Sequence, residues 1–199
     1  MQENENLLGD PLTPPTMEPA RKPRAGFWNA LSWFRDLAFS ILIAVVLIVF
    51  IYQPVKVEGT SMTPTLTDQE RIFINKFTYR FGLGDIERGD TVVFWYPEDR
   101  TKSYIKRVIG LPGDRIRIDS GQVYVNDHPM DFVPDGYKDS VSWPRVPVDQ
   151  VVPPDKYFVL GDNRSSSSDS RSWGYVPRDY IYGKAVFIYW PLKELGRLR

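Results

Sequence analysis

From Leu37 to Tyr52 the chain reads LAFSILIAVVLIVFIY, an unbroken run of apolar and small residues without a single charge. As a helix rising about 1.5 Å per residue it covers roughly 24 Å, against a bilayer hydrocarbon core of about 30 Å. Trp33 and Phe34 extend it into the interfacial zone, and Arg35 can snorkel outwards from that end. A helix on the surface of a soluble domain keeps a polar face, and this run has none. A cleaved leader is disfavoured by the long polar stretch before the run and by the lack of a small-x-small site after it. The expectation is an uncleaved anchor over residues 27–53, ended by Gln53 and Pro54. Arg21, Lys22, Arg24 and Arg35 lie on its N-terminal side, and the acidic Glu18 and Asp36 weigh little in orientation. Residues 1–26, rich in Pro, Glu, Asn and Thr, are therefore expected to form a disordered cytoplasmic tail. Residues 54–199 are expected to face outwards, with the protein single-pass in the cell membrane.

Past Val55 the texture changes to short β-like runs: Arg71–Asn75, Thr91–Tyr96, Ser103–Ile109, Arg115–Ile118, Gln122–Val125, Tyr157–Leu160 and Lys184–Trp190. Gly-Asp, Pro-Gly-Asp and Ser-Gly breaks separate them, as hairpins and turns require. Arg115–Asp119 and Gln122–Asn126 read as one hairpin around Ser120-Gly121. The pattern predicts a mostly β, antiparallel domain, with residues 114–156 as a small accessory β region and Asp135–Pro154 as a surface excursion.

Composition then narrows the chemistry. There is no cysteine, so disulfides, thiolate nucleophiles and cysteine metal sites are excluded. The only histidine, His128, sits beside Pro129 near a predicted hairpin end and reads as an exposed loop residue. A Ser-His-Asp triad would have to use it, and a multi-histidine metal site cannot form. The formal net charge is zero, which gives no basis for nucleic-acid binding by a basic face. No metal or cofactor is expected.

Three segments carry residues of chemical interest. In Gly59-Thr60-Ser61-Met62-Thr63-Pro64-Thr65-Leu66 a serine lies in a tight turn whose N–H groups could converge on an anion. Such a serine is either a turn residue or a nucleophile, and spacing alone does not choose. In Tyr104–Asp114, strand alternation puts Tyr104, Lys106 and Val108 on one face and Ile105, Arg107 and Ile109 on the other. Lys106 is either a snorkelling edge residue or a desolvated amine. To act as a base near neutrality its pKa must fall from about 10.4 by roughly three units, and burial and a nearby cation such as Arg107 would both lower it. In Gly161–Gly174, the serine run with Asp162, Arg164, Asp169, Arg171 and Trp173 reads as a flexible linker or as a loop pinned by charge pairs and an aromatic anchor.

Taken in order, SMTPTL, RGDTVVF (Arg88–Phe94), YIKRVIGLPGD and GDNRSSSSDSRSWGYVP behind an apolar anchor resemble the signature boxes of bacterial type I signal peptidases, over about Pro54 to Trp190. The resemblance implies a membrane-bound Ser-Lys serine endopeptidase that removes signal peptides from secretory preproteins after small residues of the Ala-x-Ala type. It makes Ser61 the nucleophile and Lys106 the general base, with Ser167 orienting the lysine amine. It places the oxyanion hole around Gly59 and Thr60, with the Ser61 N–H as one donor. It also implies that Val57, Met62, Leu66, Ile72 and Ile105 line shallow pockets, and that Asp162, Asp169 and Arg171 shape the active-site loops. Membrane lipid and preproteins are the implied partners, with no nucleic acid and no metal. Gly59 stands where some relatives carry a serine, and Glu58 where some carry a proline. Rival readings are a specialised Ser-Lys maturation peptidase of conjugation or pilus type, and a non-enzymatic anchored β-rich binding module.

Overall fold

The computed structural model describes residues 25–77, 84–119, 121–130 and 148–198. The chain divides into two compact units, Met1–Leu42 and Ile43–Arg199. Helix α1 runs Ala25–Ile51. Its side chains are described for residues 32–46, nearly all exposed, and among the described residues no helix is long and apolar enough to cross a membrane. The apolar run of the sequence continues beyond that stretch. The proposed tail lies outside the described residues except for Ala25 and Gly26, which begin the helix.

The helix stops two residues before the expected Gln53. Tyr52 and Gln53 belong instead to strand β1 (Tyr52–Lys56), paired antiparallel with β2 (Arg71–Asn75). Pro54 sits opposite Phe73 within β1. It is tolerated because β1 is the outermost strand of its sheet, where a missing N–H removes no ladder bond on the open side.

The remaining strands are β3 (Thr91–Tyr96), β4 (Asp99–Gly110), β5 (Arg115–Asp119), β6 (Gln122–Val125), β7 (His128–Pro129), β8 (Val148–Val151), β9 (Lys156–Leu160), β10 (Val176–Pro177), β11 (Ile181–Trp190) and β12 (Gly196–Arg197). They form two antiparallel sheets. The larger has the order β1-β2-β11-β3-β4-β9-β10, with β12 on β11, and the smaller has β7-β6-β5-β8. The fold is mostly antiparallel β, as the turn-punctuated sequence indicates. The β5–β6 hairpin forms in the expected register, Asp119 opposite Gln122.

Two expectations change here. Residues 135–147 of the surface excursion lie outside the described residues, but the excursion does not run on to Pro154. Val148–Val151 pairs with β5, and Val152 is buried against it. His128 is exposed as expected, but within the short β7 rather than in a loop.

Strand β4 organises the domain because it changes partner along its length. From Asp99 to Arg107 it pairs with β3, and from Arg107 to Gly110 with β9. Its end also turns Ile109 into the apolar layer shared by Ile116, Ile118, Val123, Val125, Phe158 and Leu160, which joins the two sheets. A second cluster packs Val92, Phe94, Val108 and Val159, and a third packs Val57, Met62, Leu66, Ile72, Ile74 and Val93. Burying each such side chain contributes roughly 1.5–3 kcal/mol, which fixes β4 and the loop above it.

Candidate active site

The segment between β1 and β2 closes on itself. Val57 N–H donates to the Glu70 carbonyl at 2.8 Å, and Gln69 N–H donates to the Val57 carbonyl at 2.9 Å. The Asp68 carboxylate accepts the Gly59 N–H at 2.8 Å, where Gly59 has a φ of 92° that favours glycine. Hydrogen bonds from the Gln69 side chain and then from Gly59 hold the Asp68 carboxyl below its ordinary range. Inside the loop, Met62 and Leu66 plug into the core and are essentially inaccessible.

This packing puts Ser61 on the rim of a cleft of about 390 Å³. One wall is the Val55–Ser61 segment, the other is Ser103–Lys106 of β4, and Ser166 and Ser168 contribute from the third segment. Lys106 Nζ donates to Ser61 Oγ at 2.6 Å across a sequence separation of 45. Lys106 is 4% exposed. Burial of the amine pushes its pKa down to about 8, against the opposing pull of the Asp169 and Asp162 carboxylates and with a further lowering from Arg171. Roughly a tenth of such an amine is neutral at pH 7, enough to take a proton from an adjacent hydroxyl.

The cation that lowers Lys106 is therefore Arg171, not Arg107. Arg107 points to the other face of β4, as alternation requires, and forms a buried pair with Asp162 at 2.6 Å. It also donates to the Gly89 carbonyl and to Thr65 Oγ1, tying the serine loop to β4. Asp162 is fully buried by this pairing.

The serine-rich segment is a pinned loop. Asp169, also fully buried, accepts from Gly161 N–H at 3.0 Å and from the Arg171 Nε at 2.7 Å, and caps the single helical turn Ser170–Trp173. Arg171 donates onward to the Arg164 carbonyl. Trp173 packs between Phe94 and Tyr96. A methyl group on Gly161 would come within 2.2 Å of Ser167 Oγ and 2.5 Å of the Ser61 carbonyl, so only glycine lets this loop reach the serine turn.

The structure places the other expected site residues as follows. Val57 and Ile105 line the cleft. Met62, Leu66 and Ile72 do not: they are buried beneath it, because the turn needs apolar anchors in the core more than it needs wall residues. The Ser167 hydroxyl is buried without a hydrogen-bond partner among the described residues, and no bond to Lys106 forms. Gly59 and Thr60 line the cleft, yet the Gly59 N–H is already committed to Asp68. Among the described residues, no three histidine, aspartate or glutamate side chains are grouped to hold a metal. Sequence reading missed Asn163, whose backbone and side chain both grip the serine turn. Its place beside the pinned Asp162 was the only signal available.

Residues 30–190 match the family model described as signal peptidase, peptidase S26. The chain is 35% identical to signal peptidase I of Leptolyngbya laminosa, over 94% of this chain and 93% of that protein. It is 37% identical to a probable signal peptidase I-2 of Synechocystis sp., over 92% and 83%, and 35% identical to signal peptidase IB of Staphylococcus aureus, over 82% and 91%. Among solved structures it is similar to a signal peptidase I from Enterococcus faecalis, with a TM-score of 0.41 and 26% identity over 51% of this chain and 97% of that one. With a family model spanning most of its length and relatives matched nearly end to end, the chain belongs to the type I signal peptidases and is a serine peptidase.

Proposed function

We propose that the protein removes signal peptides from secretory preproteins with Ser61 as nucleophile and Lys106 as general base. The observation that carries the reading is the 2.6 Å contact between Ser61 Oγ and a buried amine whose pKa is lowered to about 8. Neutral Lys106 takes the Ser61 proton as Oγ attacks a peptide carbonyl. The amine then protonates the departing nitrogen, leaving an ester on Ser61. A water that gives its proton to the same lysine hydrolyses the ester. The Ser61 N–H, which has no protein acceptor among the described residues, stabilises the oxyanion. Ser167, with its buried and uncommitted hydroxyl beside Ser61 and Gly161, is the group available to hold the amine. Asp162, Asp169 and Arg171 hold the loop that carries it.

The cleft suits an extended peptide. Beyond Arg107 towards Ser103, β4 has β3 on one side and no strand on the other among the described residues. Opposite it, Val57 spends its backbone groups on Gln69 and Glu70, so alternation turns those of Lys56 and Glu58 towards the cleft. A substrate strand laid between these two edges presents its side chains to Val57 and Ile105. Met62, Leu66 and Ile72 back the floor from the core, which leaves it shallow and favours Ala-sized residues.

Membrane attachment through α1 is supported by its uncovered apolar side chains, among them Phe39 at 63% and Leu42 at 56% exposed, and by the apolar run that continues to Tyr52. The single span places residues 54–199 outside the cell membrane and brings enzyme and preprotein to one lipid surface, which raises their effective concentration. The test is to incubate the detergent-solubilised protein with an Ala-x-Ala precursor beside Ser61→Ala and Lys106→Ala. Cleavage by the parent alone is expected, and cleavage surviving either substitution refutes the dyad.

A further inference from the structure

Asn163 is bonded to both peptide groups that flank the Ser61 α-carbon. Its backbone N–H donates to the Ser61 carbonyl at 3.0 Å, and its Nδ2 donates to the Thr60 carbonyl at 3.2 Å. The side-chain amide is itself oriented, because Ser165 Oγ donates to Asn163 Oδ1 at 2.9 Å and leaves the NH₂ end facing Thr60. The Thr60 carbonyl takes one more bond, from the Thr63 N–H at 3.2 Å.

Peptide groups are planar and trans, so a carbonyl and the N–H of the same plane point in opposite directions. Holding the Thr60 oxygen therefore aims the Ser61 N–H the other way. Holding the Ser61 oxygen as well fixes the second plane, and two fixed planes set the φ and ψ of Ser61. The direction of its Cα–Cβ bond, and hence of Oγ, follows.

We infer that Asn163 is a positioning residue that aims both the Ser61 hydroxyl and the Ser61 N–H into the cleft. It is not among the residues lining the cleft and acts through two carbonyl oxygens from a loop 103 residues away in sequence from Thr60. The inference rests on the reading of Ser61 as nucleophile and of its N–H as an oxyanion donor. It differs from a purely structural role because the interactions it controls strengthen only as negative charge develops on the substrate oxygen. Ground-state binding along the cleft walls does not depend on it.

The test uses Asn163→Asp and Asn163→Ala in the full-length protein in detergent. Asn163→Asp keeps the backbone bond to Ser61 but faces the Thr60 carbonyl with an acceptor instead of a donor. For both variants kcat should fall about tenfold to a hundredfold, less than the loss of an entire oxyanion donor, with KM within about twofold. Binding of a peptide aldehyde, which adds Ser61 Oγ to form a tetrahedral adduct, should weaken in step with kcat. Binding of the cleaved product peptide should not change, and for Asn163→Ala, which adds no charge, the pH at which the rate levels off should stay with the parent's, since Lys106 is untouched. An active parent with Asn163→Asp equally fast overturns the positioning role. So does a loss of product-peptide binding that parallels the loss of kcat. A parent that cleaves no precursor refutes the enzymatic reading itself, which separates that failure from this one.

Discussion

Replacing Lys106 with methionine should abolish cleavage and make the fold more stable near neutral pH. The native structure forces the amine from an ordinary pKa of 10.5 down to about 8. At about 1.4 kcal/mol per unit this burdens the folded state by about 3 kcal/mol while the amine is charged in the unfolded chain. Methionine fills a similar volume without a charge but gives up the bond to Ser61, worth about 1 kcal/mol. The net gain is about 2 kcal/mol, or roughly 4–8 °C in Tm for a protein of this size. The sign with pH follows from proton counting. Below about 8 the parent carries the full burden. Between about 8 and 10.5 the unfolded chain binds more protons than the folded one, so the parent gains stability as pH rises and the difference shrinks. Thermal melts of both proteins in mild detergent, followed by tryptophan fluorescence from pH 6 to pH 10, read this directly. A methionine variant no more stable than the parent at low pH, or a gain undiminished at pH 10, would refute a desolvated ammonium at this position.

Two further outcomes test the site. If Lys106 is the base, kcat/KM should climb roughly tenfold per pH unit below about 8 and level off above it, whereas a rise continuing past pH 10 indicates an ordinary lysine. Gly161→Ala should slow cleavage by about a hundredfold, because the new methyl displaces the Ser61 carbonyl and Ser167 together; unchanged single-turnover rates would show that the two loops are not coupled there.

Turn signals and β-branched runs made the strands of the large sheet readable, because each run is bounded by residues that break a ladder. Arg71–Asn75 and Thr91–Tyr96 form strands with those ends. Strand β1 was hidden for a physical reason: Tyr52 closes the apolar run, Gln53 and Pro54 read as a helix stop, and only pairing with β2 makes these residues a strand. Ser61 and Lys106 stood out through the order of the boxes, and the structure brings them into contact. The wall of the cleft was not legible in the same way. Met62, Leu66 and Ile72 have the composition of a pocket lining, but residue type does not say which side of a turn faces solvent and which faces the core. The same limit applied to Arg107, whose charge was expected to act on Lys106 until Asp162 proved to neutralise it at 2.6 Å. Asn163 stands inside the GDNR box, but its role could not be read there, since its two bonds exist only after distant segments meet.

The partner change along β4 has a consequence for when this chain becomes dangerous to other proteins. Lys106 is an ordinary protonated amine until the serine turn, the strand and the pinned loop have closed over it. A nascent or unfolded copy thus carries all the chemical groups of a protease and none of its reactivity. If Lys106 is the base, the fold serves as its own safety catch, released only on assembly.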